Sequence, residues 1–309
     1  MPKPFDFILW NFRSQILKNK LRVSSYLQLM KPSIMLLVLL TGSASLVLEG
    51  SVMKMPWPQN IIRLSLVLLA LILTGGSANA FNMYLERDID SRMTRTRIKR
   101  PLPLGKIKPT NALVFAIIIG MAGVSIFTAY FNLFSAMLAL ATIIFYSFFY
   151  TLFLKPRTPY NIVIGGIAGA MTPIITWAAV TGTISLMPLI LFTLVFLWTP
   201  PHFWALALHV KSDYELINYP MMPVAHGDEA SRKQILSYIL ILVSFSVFCS
   251  TIGLGLIFSL IASVIGGIFI YKAVLLLRSH TNDMALGLFR YSILYLCVLF
   301  GGIIILAVS

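Results

Sequence analysis

Acidic residues are scarce in this chain: 10 Asp and Glu in 309 positions, against 24 Lys and Arg. Charged residues of both signs reach only 11% and hydrophobic residues 58%, whereas a soluble domain carries about 25% charge. That balance excludes a water-soluble globular domain and a disordered polar chain. Cysteine is nearly absent too. Cys249 and Cys297 are the two present, both inside apolar stretches. They form no CxxC, which excludes a disulfide framework and a cysteine zinc site. Low-complexity tracts, long linkers and a soluble domain are also missing.

What is present is a series of apolar stretches of membrane-spanning length, roughly 17–25 residues each. We predict nine, near 26–48, 61–85, 110–131, 133–154, 160–181, 184–208, 234–252, 255–277 and 284–308. The formal net charge of +14 would suggest nucleic acid in a soluble chain. Here the segments 1–31, 86–109, 155–157, 209–233 and 272–290 hold 22 of the 24 basic residues, and only Lys54 and Arg63 fall on the other side. This asymmetry follows the positive-inside rule and predicts a cytoplasmic N-terminus and an outer C-terminus. Residues 1–25 read as a basic segment along the inner surface. Their apolar run Phe5–Trp10 is too short for a cleaved signal peptide. Residues 26–309 read as the membrane domain.

Seven of the ten acids cluster in two corresponding loops on the basic side. In the first, Asn82, Glu86 and Asp90 are four residues apart. On a helix two such steps drift only roughly 80°, so the three oxygens share a face. Such oxygens suit a hard divalent cation. The basic residues Arg92, Arg95, Arg97, Lys99 and Arg100 that follow suit a phosphate or diphosphate. The plainer alternative is a helix end with acids paired to nearby arginines. In the second loop, Lys211–Val224 (KSDYELINYPMMPV) offers Asp213, as a second metal ligand or as a cap.

Two further segments stand out. Trp198–Leu208 (WTPPHFWALAL) puts Pro200-Pro201 inside a span beside His202. It is either a kink with interfacial aromatics or a wall for a large flat or isoprenoid ligand. Tyr150–Gly169 places Lys155 and Arg157 at a turn on the basic side, followed by Gly165, Gly166 and Gly169 for close helix packing.

Together these segments resemble the UbiA-type intramembrane prenyltransferases and, within them, the branch that farnesylates protoheme IX. Asn82, Glu86 and Asp90 match the family's Asn–acid–Asp step, with Glu for the more usual first Asp, and Met93, Arg95 and Thr96 match the Met-x-Arg-Thr after it. WTPPHFWALAL, the NIVIGGIAGA run at 161–170, and Asp213-Tyr214 followed by PMMPV are similar to the heme branch. Arg100-Pro101-Leu102 comes one residue later than the family's Arg-Pro-Leu, so Lys99 or Arg100 takes that arginine's place. His209 stands where the superfamily carries a second Asp.

The resemblance implies an all-α bundle of nine transmembrane helices around a central cavity. It implies Mg2+ on Asn82, Glu86, Asp90 and Asp213, and a diphosphate held by Arg95, Arg100, Lys155 and Lys31. It implies an acceptor pocket at His202, Trp198, Phe203, Trp204 and Tyr214. Farnesyl diphosphate and heme B would be the substrates and heme O the product, in the cytoplasmic (inner) membrane, with heme A synthase or terminal oxidase assembly as partners. A prenyltransferase of the same fold acting on an aromatic acid would share the metal site. A transporter would leave the Asn–Glu–Asp spacing unexplained.

Overall fold

The computed structural model describes residues 23–279 and 281–308, so the basic segment 1–25 lies almost wholly outside the described residues. Among these, nine helices are long and apolar enough to cross a membrane. They are α1 (Pro32–Glu49), α2 (Gln59–Leu85), α3 (Pro109–Tyr130), α4 (Leu133–Leu154), α5 (Asn161–Thr181), α6 (Leu186–His209), α7 (Gly227–Phe248), α8 (Gly255–Arg278) and α9 (Ala285–Val308). In a bilayer every backbone polar group needs an internal partner, and apolar runs of this length meet that need as helices.

Successive helices pack side by side in the pairs α2–α3, α3–α4, α4–α5, α5–α6, α6–α7, α7–α8 and α8–α9, and α1 closes the arrangement against α2, α5 and α9. The up-and-down order brings the ends of α2, α4, α6 and α8 and the starts of α1, α7 and α9 to one side, the Lys- and Arg-rich side. α5 and α6 are the most buried helices. One large apolar core joins α6 to α9, and smaller ones lie around α2 and α3.

Three departures from the expected boundaries shape the site. The first predicted span divides at Lys31, whose backbone is left-handed (φ 52°), and α1 starts only at Pro32. Proline at a first helical position fits, because its missing N–H is one the helix would not use. α7 starts at Gly227, seven residues before the predicted 234, so Asp228 and Glu229 form its acidic first turn rather than a loop. Acids there are favoured by the helix dipole, which outweighs their low hydropathy.

The third departure lies inside α4, where Phe145–Leu154 is wound as a π-helix. Its i→i+5 bonds include Lys155 N–H to Tyr150 O, at 2.9 Å. The wider turn fixes the direction of Thr151 and Lys155. Opposite it, α5 comes very close: a Cβ on Gly165 would lie 2.3 Å from the Tyr150 ring, and one on Gly166 3.1 Å from Thr199. Glycine is the residue that allows both approaches. Gly169, grouped with them in the sequence, faces open space instead.

Candidate active site

α2 ends at Leu85, and Glu86 forms a corner (φ −91°, ψ 3°) before a short turn, Arg87–Asp90. The four-residue step survives the corner, because Glu86 N–H still donates to Asn82 O at 3.0 Å and Asp90 N–H to Glu86 O at 2.7 Å. Asn82, Glu86 and Asp90 are each 1–2% exposed. Their oxygens therefore share one buried pocket at the Lys- and Arg-rich end of the bundle.

Three bases close on that pocket, Lys31 and Lys155 from other elements and Arg100 from farther along the same loop. Lys31, ahead of α1, donates to Asn82 Oδ1 at 2.7 Å. Lys155, after α4, donates to Glu86 Oε1. Arg100 Nη1 donates to Asp90 Oδ2 and lies 3.4 Å from Glu86 Oε2, so one cationic nitrogen sits between the two carboxylates. Asn82 Nδ2 donates to Thr151 Oγ1 at 3.1 Å, and Thr151 in turn donates to Tyr146 O, five residues back in the π-helix. Tyr219, from the second loop, lies under the Lys155 ammonium, with its ring centre 5.7 Å away.

Burial and charge oppose each other here. Burial alone would raise the Glu86 carboxyl, but Lys155 and Arg100 outweigh it and hold it at about 2. At Asp90 burial prevails over Arg100 and the carboxyl is raised. Burial, with Arg100 nearby, lowers the Lys31 ammonium well below its ordinary value. The pocket thus holds more base than acid, and its buried bases gain from an added anion.

Arg100, and not Lys99, carries this contact; Lys99 is exposed. Arg95 does not join the ion pairs, but its Nε is buried without a partner among the described residues. That is a donor placed to receive an acceptor from outside the chain.

Asp213 is used differently from the expected metal ligand. Its Oδ1 accepts from Thr94 N–H and its Oδ2 from Arg95 N–H, both at 3.0 Å. It caps the turn Thr94–Arg97 from another segment and pins the loop that carries Arg95 and Arg100. Among the described residues no three His, Cys, Asp or Glu side chains gather within a metal's reach. The oxygen donors that do converge are two carboxylates and the Asn82 amide. That set suits a hard cation, and Arg100 already marks a cation position between the carboxylates.

The predicted acceptor residues split into two groups. His202 is sandwiched between Trp198 and Phe289, with ring centres 4.2 and 4.5 Å away, and Phe203 meets it edge-on. Both imidazole faces are covered, so His202 offers an edge rather than a wall. Trp204 is elsewhere: it is wholly buried and packs edge-on against Tyr238. Tyr214 is buried in the main core. Sequence reasoning missed Thr151, Tyr219, Phe289 and Ser292. None has a motif signal, and each is brought in by helix packing.

Two clefts lie away from this pocket. One of about 260 Å3 is lined by Tyr26, Lys106 and Asn111; one of about 330 Å3 is lined by Phe81, Met121 and Ile143 where α2, α3 and α4 meet.

Comparison with known proteins matches residues 38–299 to the UbiA prenyltransferase family. The chain is 43% identical to a protoheme IX farnesyltransferase of Gloeothece citriformis (strain PCC 7424) over 286 residues, 92% of this chain and 87% of that one. It is 40% identical to a protoheme IX farnesyltransferase of Bartonella tribocorum (strain CIP 105476 / IBS 506) over 291 residues, 93% and 91% of the two chains. Among solved structures, a digeranylgeranylglyceryl phosphate synthase superposes with TM-score 0.73 at 19% identity, covering 93% of this chain and 99% of that one. A UbiA homolog from Archaeoglobus fulgidus bound to DMAPP and Mg2+ superposes with TM-score 0.63 at 16% identity, covering 90% and 99%. These two share the fold.

Proposed function

The chain belongs to the UbiA prenyltransferase family, and from that premise we propose that it transfers the farnesyl group of farnesyl diphosphate to a vinyl group of protoheme IX. The supporting observation is the buried meeting of Asn82, Glu86 and Asp90 with Lys31, Arg100 and Lys155. The choice of acceptor rests on the relatives that are 40–44% identical over most of their length. The chain is an integral membrane protein, and its Lys- and Arg-rich side faces the cytoplasm in this reading.

Asn82, Glu86 and Asp90 would hold Mg2+, which when bound neutralises charge on the diphosphate leaving group. Arg100, Lys155 and Lys31, which now face these three residues, would hold the phosphate oxygens. Arg95 adds its unpartnered Nε. Negative charge on the diphosphate grows as the allylic C–O bond breaks, so these cations bind the transition state more strongly than the ground state. The vinyl π electrons form the new C–C bond to the farnesyl C1, and the C–O electron pair leaves with the diphosphate. The cation left beside the porphyrin takes the oxygen of a water molecule and releases a proton, giving the hydroxyethylfarnesyl group of heme O. The apolar interior keeps water from the allylic cation before that. Supply of product to heme A synthase or terminal oxidase assembly belongs to the same reading.

The test is an assay of purified protein in liposomes with farnesyl diphosphate, Mg2+ and heme B, read by mass spectrometry. A heme that gains one farnesyl group and one water is the expected product. Prenylation of 4-hydroxybenzoate in place of heme would overturn the acceptor while leaving the diphosphate site.

A further inference from the structure

The edge of His202 is set by a residue from another helix. His202 Nδ1 and Ser292 Oγ, on α9, are 2.6 Å apart, and Ser292 Oγ is also 2.6 Å from the carbonyl oxygen of Phe289. Two oxygens that close need a proton between them, and a serine hydroxyl has only one. The hydroxyl therefore donates to Phe289 O, and Nδ1–H of His202 donates to Ser292 Oγ. Trp198 Nε1, one turn earlier on α6, donates to Ser292 O at 2.7 Å and ties the same turn of α9 to α6. Ser292 is 1% exposed and His202 6%.

The neutral imidazole thus has one tautomer, with both faces covered and Nδ1 committed. Nε2 carries the lone pair and has no hydrogen-bond partner among the described residues. A histidine whose second ring N–H is anchored in this way is the usual arrangement of a metal ligand.

We propose that Ser292 is a positioning residue for the acceptor, holding His202 so that Nε2 ligates the iron of the bound porphyrin. This rests on the heme reading above. It gives the Pro200-Pro201 pair a place in the account: these prolines withdraw two N–H donors from α6 immediately before His202. It also separates the two predicted roles of the aromatic segment, since Trp198 and Phe289 clamp the imidazole and Trp204 belongs to the core.

The experiment is resonance Raman and absorption spectroscopy of the full-length protein in nanodiscs with ferrous heme B. Metal-free protoporphyrin IX serves as a second probe. The expected wild-type spectrum has an iron–histidine stretch. His202→Ala loses it, and added imidazole restores it. Ser292→Ala shifts the stretch to lower frequency and weakens heme B binding roughly ten- to a hundred-fold, while protoporphyrin IX binding stays unchanged. Ser292→Thr keeps the acceptor oxygen and the wild-type stretch, and carries the test should the alanine variant fail to fold.

An iron–histidine band that is absent in the wild type, that persists in His202→Ala, or that does not move in Ser292→Ala would overturn the proposal. So would equal loss of heme and metal-free porphyrin, which marks a packing role. Farnesylated heme formed without the band overturns this inference and leaves the proposed function standing. Absence of both heme binding and farnesylated product overturns the function itself.

Discussion

The two acidic loops on the basic side share composition and place, yet they use their carboxylates in opposite ways. In the first, Glu86 and Asp90 are matched by the side chains of Arg100 and Lys155, and among the described residues no backbone N–H donates to their carboxylates. In the second, Asp213 gives both oxygens to backbone N–H groups of the first loop. One loop keeps its charges for exchangeable partners, and the other uses its charges to hold shape. A carboxylate matched only by mobile side chains can trade them for a ligand. One saturated by backbone N–H groups resists that trade.

The largest expected effect breaks the first loop. Glu86→Ala or Asp90→Ala should lower prenyl transfer by on the order of 10²–10³, with helical content by circular dichroism unchanged. Next comes the base that bridges the two acids. Arg100→Ala should raise KM for farnesyl diphosphate and lower kcat together, by on the order of a hundred-fold in kcat/KM. Lys99→Ala, at an exposed neighbour, should leave both constants at wild type. Equal losses in the two variants would remove the distinction between them.

Asp213 sharpens the comparison. Asp213→Ala releases the turn Thr94–Arg97, and the misplaced Arg95 and Arg100 should cost roughly ten- to a hundred-fold in activity. Asp213→Asn keeps one acceptor oxygen and should lose less. Neither change should alter Mn2+ affinity measured by electron paramagnetic resonance without diphosphate; a large drop there would make Asp213 a metal ligand after all.

The smallest effect is on stability against pH. The Glu86 carboxyl lies at about 2 in the fold against an ordinary 4.5. Its ion pairs therefore stabilise fully above pH 4.5, and that contribution fades as pH falls toward 2. Thermal unfolding of the wild type should weaken across this window. Glu86→Gln, which has no charge to lose, should show a shallower fall.

Much of this was legible in the sequence. Apolar runs announce themselves by length, and the Asn82–Glu86–Asp90 step survived even though the helix breaks at Glu86, because the i→i+4 bonds bridge the corner. The start of α7 was misplaced because Asp228 and Glu229 look like loop residues until the dipole of a helix start is considered. The π-helix of α4 left no mark, since Phe145–Leu154 is as apolar as any span, yet it aims Thr151 and Lys155 at the site. Ser292 is one serine among many in apolar stretches, and only the packing of α6 on α9 pairs it with His202. Residues that act through local spacing could be read in advance. Those that act across helices came only through the family resemblance, as with Lys31 and Lys155, or not at all, as with Ser292.

The most direct measurement of the central claim is electron paramagnetic resonance of Mn2+ with pyrophosphate on the full-length protein. The expected result is a bound ion with phosphorus coupling in the wild type, and loss of that coupled signal in Glu86→Gln and Asp90→Asn. An identical phosphorus-coupled signal in both variants would place the diphosphate somewhere other than this pocket.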